Sequence, residues 1–477
     1  MRTRRKRALS SSNCLSTRGG DPLFLAIADF AREAQDSARP HRKSTIMNNE
    51  PPPLASPFSR RKALKGMAAL ATIQVVPSHV LGVGGQKPPS EQITRGIIGC
   101  GGISGSGAHV GQKGPLLALC DVDKNHLARR IADAKKRGHD PKGYHDFREL
   151  CARDDLDVVH ICTPPHWHAL QAIEAAKNGK DVWCEKPMSR TIGEGIAMMK
   201  AVQKHKRIFR INTWFRFEGG FYGMGTPAAP IRKAVMHGLL GDGPLTVTVG
   251  GNQGFNWKFG WSGRVNQPEE KIPDHFDYNM WLGPAPVKPY TRHRTHGSFR
   301  GYWDYDGGGL GDMGQHYLDP VQYILGKDEE SPVEVFIDAD RQHDDAVGRW
   351  RRIEYKYADG TRIILDGDNR EKNTPYIKGS EGSISRGFKS DVKGFEDKLK
   401  ALDDPAPQMT DFHQAVRERK TFALNESNGF RSASIVNLGV IAHRSNKSFR
   451  YDPKTFKCSE PEADQYVHQD MRGPWKV

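Results

Sequence analysis

Ten residues constrain this chain more than any others. Between Arg95 and Ser104 an apolar run, Gly96, Ile97 and Ile98, breaks into Gly99, Cys100, Gly101 and Gly102. Short β-branched runs make buried parallel strands, and glycines directly after one tolerate positive φ and let backbone N–H groups approach a pyrophosphate. Gly99 and Gly101 fill the first two glycine places of a dinucleotide-binding turn that also contains Gly102 and Ile103. Ser104 takes the third place, where a small residue permits a following helix to pack on the strand and can also cap it. The next apolar run, Leu116–Cys120, ends in Asp121, 22 residues after Gly99. An acid roughly 20 residues beyond the turn is the group that binds the ribose hydroxyls. NAD is therefore favoured over NADP, because Val122 and Asp123 follow, with no Arg to receive a 2′-phosphate.

At 477 residues the chain has room for two or three domains, each with its own core. Its net charge of +15 invites a nucleic-acid partner, but residues 1–65 hold 14 Lys and Arg against 5 Asp and Glu. More than half of the excess thus sits in one terminal segment, and the rest is an ordinary solvated surface. With no basic module interleaved with aromatics, a nucleic-acid partner is excluded. The seven cysteines are irregularly spaced, without a CxxC pair or a zinc-type Cys/His grouping, so neither a disulfide framework nor a metal site is indicated. Cys100, Cys120, Cys162 and Cys184 fall at or beside strand ends, as small buried hydrophobes do.

Residues 1–58, rich in Arg, Ser and Pro and lacking a sustained period, are expected to be disordered. Residues 59–92 read as an export signal and linker: Ser59, Arg60, Arg61, Lys62, Ala63, Leu64 and Lys65 match the twin-arginine pattern, and an apolar region runs from Met67 to Val76. That region is too short to span a bilayer, so no stable membrane insertion is expected. Met47, 13 residues before Arg60, would start a signal of ordinary length. The expected location is the periplasm, with the cytoplasm as the alternative. From Thr94 onward strands and helices alternate as in a doubly wound parallel sheet, with strands at Leu116–Cys120, Leu156–Cys162, Asp181–Cys184 and Ile208–Ile211 and a domain over 93–212. Residues 213–446 shift to aromatics, Gly and longer loops, with strand-like runs at Leu245–Val249, Val333–Ile337, Arg352–Tyr357 and Thr361–Leu365. Residues 447–477 read as a tail that wraps rather than folds alone.

At Thr163–Pro187 the stretch TPPHWHALQAIEAAKNGKDVWCEKP resembles the glucose-fructose oxidoreductase, inositol dehydrogenase and rhizopine catabolism (Gfo/Idh/MocA) family of NAD(P)-dependent enzymes. The resemblance runs from about Thr94 to the C-terminus and includes the GCGGIS turn and GGGLGDMGQHYLD at 307–319. It implies an α/β protein: a Rossmann domain followed by an α+β domain with a large, open, mostly antiparallel sheet. In the family the Lys of EKP lies beside the nicotinamide, which here selects Lys186, with Glu185 and Pro187 setting the turn. A cation at a strand's C-terminal end can hydrogen-bond the reacting oxygen and favour an alkoxide. Asp312 and His316, four apart, share a helix face and look like the family's pair, with His316 as general base and Asp312 orienting it and binding a substrate hydroxyl. Thr163, Pro164, His168 and Glu185 carry over as NAD contacts. Trp257, Trp261, Trp281, Tyr290, Arg292, Arg294, His296 and Arg300 lie in a stretch of the kind that lines sugar sites, with Arg300 as a substrate contact. Trp214 and Arg216 occupy the region where the family often has a Gln near the nicotinamide. The implied activity is hydride transfer between tightly held NAD and a sugar, inositol or related polyol, in a homo-oligomer. The alternatives are an NAD-dependent glycoside hydrolase that oxidises its sugar transiently and a non-catalytic sugar or nucleotide sensor.

Overall fold

The glycine turn is carried by β1 (Arg95–Ile98), a fully buried strand at the centre of a six-stranded sheet. The computed structural model describes residues 92–213, 215–217 and 221–477; the expected disordered extension, Met47, the twin-arginine stretch and Trp214 lie outside them. With β2 (Leu116–Cys120), β3 (Lys142–Tyr144), β4 (Val158–Ile161), β5 (Asp181–Glu185) and β6 (Phe209–Asn212), β1 forms a parallel sheet of order β3-β2-β1-β4-β5-β6. Strand order reverses between β1 and β4, and beyond the carboxyl ends of those strands such folds open a ligand crevice. Helices α1 (Lys124–Lys136), α2 (Phe147–Cys151), α3 (Pro165–Lys177) and α4 (Ile192–Lys204) connect the strands, and Asp123, Asp146 and Thr191 cap α1, α2 and α4 through side-chain oxygens that accept first-turn N–H groups.

Two features depart from the sequence reading. The strand β3 was not expected, because Lys-Gly-Tyr has no apolar run: it is a three-residue edge strand that exposes Lys142 and Gly143. No α-helix follows the glycine turn. A 3₁₀ turn covers Ile103–Gly105 and bends continue to Gly114, since Gly105, Gly107 and Gly111 make a helix there too costly in backbone entropy. Ser104 therefore caps nothing; its hydroxyl donates to the Gly101 carbonyl at 2.8 Å. The buried Arg95 guanidinium collects loop carbonyls instead, donating to those of His109 (2.8 Å) and Gln112 (2.7 Å).

The second sheet has nine strands. They are β7 (Thr246–Gly250), β8 (Glu334–Ala339), β9 (Trp350–Lys356), β10 (Arg362–Asp366), β11 (Ile377–Lys378), β12 (Ser383–Ser385), β13 (Lys389–Ser390), β14 (Phe449–Asp452) and β15 (Lys457–Cys458), in the order β13-β12-β11-β7-β10-β9-β8-β14-β15. Only the β7–β10 pair is parallel. Its inner face, with Val247, Val335, Ile353, Tyr355, Ile363 and Leu365 all wholly buried, belongs to the main core with α5 (Gly308–Leu325) and α6 (Glu426–Ser445). On α6, any side chain at Gly439 would meet the Tyr355 hydroxyl. The four longer strands coincide with the expected runs to within two residues; β11, β12, β13 and β15 are too short to show a period, and β14 alternates buried and exposed residues over only four positions. The tail supplies β14 and β15 and then returns to the first sheet's helices: the Gly193 N–H donates to the Val467 carbonyl at 2.9 Å, and Trp475 packs on Trp167 with ring centroids 4.8 Å apart.

Candidate active site

Gly99 has φ +90°, and a Cβ there would lie 2.7 Å from the Cys162 carbonyl carbon, so the fold itself demands glycine. Gly101 and Gly102 differ: a Cβ at either would meet nothing within 4 Å. Their bareness serves the cleft. Asp121 stands beside them, its Oδ2 accepting the Cys100 N–H (2.6 Å) and its Oδ1 the Asp123 N–H (2.8 Å). Burial raises its pKa, against the pull of those two bonds. From the turn a cleft of about 320 Å³ runs past Ile103, Asp121, Thr163 and Pro164 to Glu185, Lys186, Arg300 and Asp312. Open glycines, an acid at the end of β2 and a cleft at the switch point fit the pyrophosphate, ribose and nicotinamide of NAD.

At the far end, β5 delivers Glu185 and Lys186. Lys186 Nζ lies 3.1 Å from Asp312 Oδ1 and donates to the Asp312 carbonyl at 3.2 Å, while Arg300 Nε donates to the same Oδ1 at 2.7 Å. Burial would raise the Asp312 carboxyl, but Lys186 and Arg300 outweigh it and hold the group below the ordinary carboxylate range. Behind it, Asp306 is pushed up to about 7 by burial and by the Asp312 charge. Glu185 anchors a buried polar chain: its Oε1 is 2.6 Å from His109 Nε2 and accepts the Asn212 amide at 2.6 Å, and His109 Nδ1 is 3.0 Å from His160 Nδ1. Burial opposes ionisation of Glu185, yet His109, Lys186 and Asn212 together keep its pKa low. The Lys186–Pro187 peptide is cis. Gln315 ties the loop down, its Oε1 accepting the Met188 N–H (2.9 Å) and its Nε2 donating to the Gly429 carbonyl (2.9 Å) and Ser432 Oγ (2.8 Å).

His316 shares the α5 face of Asp312, but four helical residues advance about 6 Å along the axis. It is consequently buried, off the cleft wall, with Nδ1 3.4 Å from Thr213 Oγ1 and its ring edge-on to Phe215. Burial and the Lys186 charge lower its pKa to about 3, which keeps the imidazole neutral. His168 also lies behind the wall: Nδ1 is 2.7 Å from the Pro187 carbonyl and Nε2 2.8 Å from that of Thr163, so it joins the Thr-Pro-Pro turn to the Lys186 loop. Ser104 is wholly buried, with its Oγ accepting from Arg130 Nε at 3.0 Å. Arg216 points into the core, where Asp319 (2.8 Å) and Asp328 (2.7 Å) pair with it.

Of the aromatic and arginine stretch, Trp281, His296 and Arg300 reach the cleft. Trp257 and Tyr290 are core, Arg294 pairs with Asp345 at 2.6 Å, and Trp261 lies beneath the Arg300 guanidinium. Sequence reasoning missed His109, His160, Asn212, Asp306 and Gln315. Only Asp306 carried a signal: the glycines after it leave room for its carboxylate, since a Cβ at Gly311 would sit 2.0 Å from Asp306 Oδ1.

Residues 93–213 match the model of the oxidoreductase family's NAD-binding Rossmann fold, and residues 224–477 match that of its C-terminal alpha/beta domain. A glycosyl hydrolase family 109 protein of Saccharopolyspora erythraea is 31% identical over 179 residues, covering 32% of this chain and 38% of the relative. Another, from Solibacter usitatus, is 34% identical over 167 residues, covering 31% and 37%. The chain thus aligns with little more than a third of the length of these curated relatives. Among solved structures, the WlbA dehydrogenase of Bordetella pertussis, in complex with NADH and UDP-GlcNAcA, shares the fold with a TM-score of 0.51 at 18% identity, covering 76% of this chain and 99% of that one. With both domains matched in order and the glycine turn, Asp121 and Lys186 brought to one cleft, the chain belongs to the Gfo/Idh/MocA family of NAD(P)-dependent oxidoreductases.

Proposed function

We propose that this enzyme transfers a hydride between a tightly held NAD and a hydroxyl-bearing carbon of a sugar, inositol or related polyol, with Lys186 and Asp312 at the reacting carbon and His316 one layer behind them. The observation that carries the proposal is the convergence of Lys186 Nζ and Arg300 Nε on one Asp312 oxygen, at 3.1 and 2.7 Å, in the wall of the cleft that starts at the glycine turn. NAD, when bound, supplies the hydride acceptor. Gly101, Gly102, Asp121, Thr163 and Pro164 would hold it.

Lys186 donates a hydrogen bond to the substrate oxygen and stabilises negative charge as it develops there. Asp312 pre-aligns the ammonium and the Arg300 fork and accepts from a neighbouring hydroxyl. His316, whose pKa burial and the Lys186 charge lower to about 3, lies behind the cleft wall, so the hydroxyl proton leaves to solvent through the open cleft and the ring serves to pack the Asp312 helix. Ser59–Lys65 supports export of the folded, loaded protein to the periplasm, where a cofactor that leaves is not replaced. Homo-oligomerisation through the outer face of the nine-stranded sheet, where Phe336 is exposed, belongs to the same proposal and is read by sedimentation velocity.

A glycosidase that oxidises its sugar only transiently is favoured by one observation, the names of the curated relatives. The purified protein should be incubated with sugars, polyols and aryl glycosides, following NADH absorbance and aryl release. Net NADH with a free sugar supports the dehydrogenase; NAD-dependent aryl release without net NADH supports the hydrolase. Neither signal, from protein shown to hold NAD, would sink both and leave the sensor.

A further inference from the structure

Beside Asp121, three metal-ligating side chains meet that no part of the proposed chemistry uses. Asp123, His126 and His296 each offer a donor atom within 4.8 Å of the other two. Asp123 Oδ2 lies 3.4 Å from His296 Nε2. A tetrahedral zinc with ligand bonds of about 2.0–2.1 Å needs donors about 3.3 Å apart, so this gap already suits a bridging ion. We propose that Asp123, His126 and His296 form a binding site for a divalent transition metal of the zinc class, completed by water.

The donors are set as a metal site requires. Asp123 is buried, and its Oδ1 is fixed by the Asn125 N–H (2.8 Å) and the His126 N–H (3.1 Å) at the start of α1, which leaves Oδ2 to face the imidazoles. His126 projects from the first turn of the same helix, and its ring centroid is 4.6 Å from that of His296. His296 holds a left-handed backbone, φ +51°, sparsely populated for a side-chain-bearing residue. Nitrogen and carboxylate donors in this ratio suit zinc over magnesium or calcium, which take all-oxygen shells. His275 Nε2 stands 3.8 Å from the same Asp123 oxygen. Residue spacing hides the group, because His296 lies 170 positions after His126.

An ion here would tie α1 to the segment around His296, and both imidazoles line the cleft. The test uses the untagged full chain, stripped with chelator and titrated with Zn²⁺, Co²⁺ and Mg²⁺ by calorimetry. One equivalent of Zn²⁺ is expected to bind and raise the melting temperature, and Co²⁺ to give the visible absorption of a tetrahedral site. His126→Ala and His296→Ala should each weaken Zn²⁺ at least tenfold, while His237→Ala, far from the cluster in sequence and on the surface, should not. Circular dichroism and the urea unfolding midpoint show whether each variant is folded. Zinc binding equal in wild type and folded His126→Ala or His296→Ala overturns the site, as does no stoichiometric binding to the wild type.

Discussion

Two glycines in one turn are there for different reasons. Gly99→Ala forces an alanine to φ +90° with its Cβ 2.7 Å from the Cys162 backbone, and should cost about 1–3 kcal/mol in denaturant unfolding. Gly101→Ala meets no protein atom, so it should melt with the wild type yet bind NAD about tenfold more weakly, roughly 1.4 kcal/mol, by fluorescence titration. Equal stability losses in both would refute the idea that Gly101 is kept bare for the cofactor. Lys186→Met retains the Arg300–Asp312 pair and removes the ammonium. Turnover on whichever substrate the panel reveals should fall about 10²–10³-fold, with NAD affinity nearly unchanged. A mild loss would put the oxygen-binding role elsewhere.

Among the elements, α5 does most to join chemistry to scaffold. Its N-terminal half brings Asp312 to the cleft, and its later turns carry Gln315 and the buried Asp319. Arg216, wholly buried, neutralises Asp319 from outside the helix. Arg216→Met should destabilise the protein by about 3–5 kcal/mol, because a carboxylate is left buried and unpaired. Adding Asp319→Leu should return most of that loss in urea melts. A double variant no more stable than the single one would show that the pair is not what Arg216 contributes. The sequence had left Arg216 in the region near the nicotinamide; nothing in the local pattern announces its partners, which lie over a hundred residues away.

Over the whole molecule, buried titratable groups set the response to acid. Burial lowers His166 to about 3 and His443 to about 4, against about 6.5 in the unfolded chain. The unfolded state therefore binds more protons as pH falls from about 6.5 to 4, and stability drops through that window. Glu194 acts the other way: burial raises it to about 7, so its contribution falls as pH climbs from about 4.5 to 7. Thermal melts between pH 5 and 7 should show His443→Phe gaining less stability with pH than wild type, and Glu194→Gln gaining more, each by on the order of 1–2 kcal/mol. Parallel curves for all three proteins would contradict this assignment. Among the described residues no helix is long and apolar enough to cross a membrane.

What the sequence determined alone is the part written in local chemistry. A β-branched run, a glycine turn, an acid one strand later and caps such as Asp123 are short-range signals, and they sufficed for the parallel sheet and its cofactor, while Lys186 was singled out by the resemblance of its EKP stretch to the family. The Asp312 and His316 spacing likewise placed both on one helix face. Tertiary structure decided which residues meet across distance. His316 recedes while Arg300 advances to Asp312, and His168 braces a loop instead of lining the cleft. Strands of two or three residues exist only because neighbours pair with them, and the buried His109–Glu185–Asn212 chain joins three separate segments. Periodicity reports which face a residue occupies; hydrogen bonding and burial between remote segments determine what that face touches.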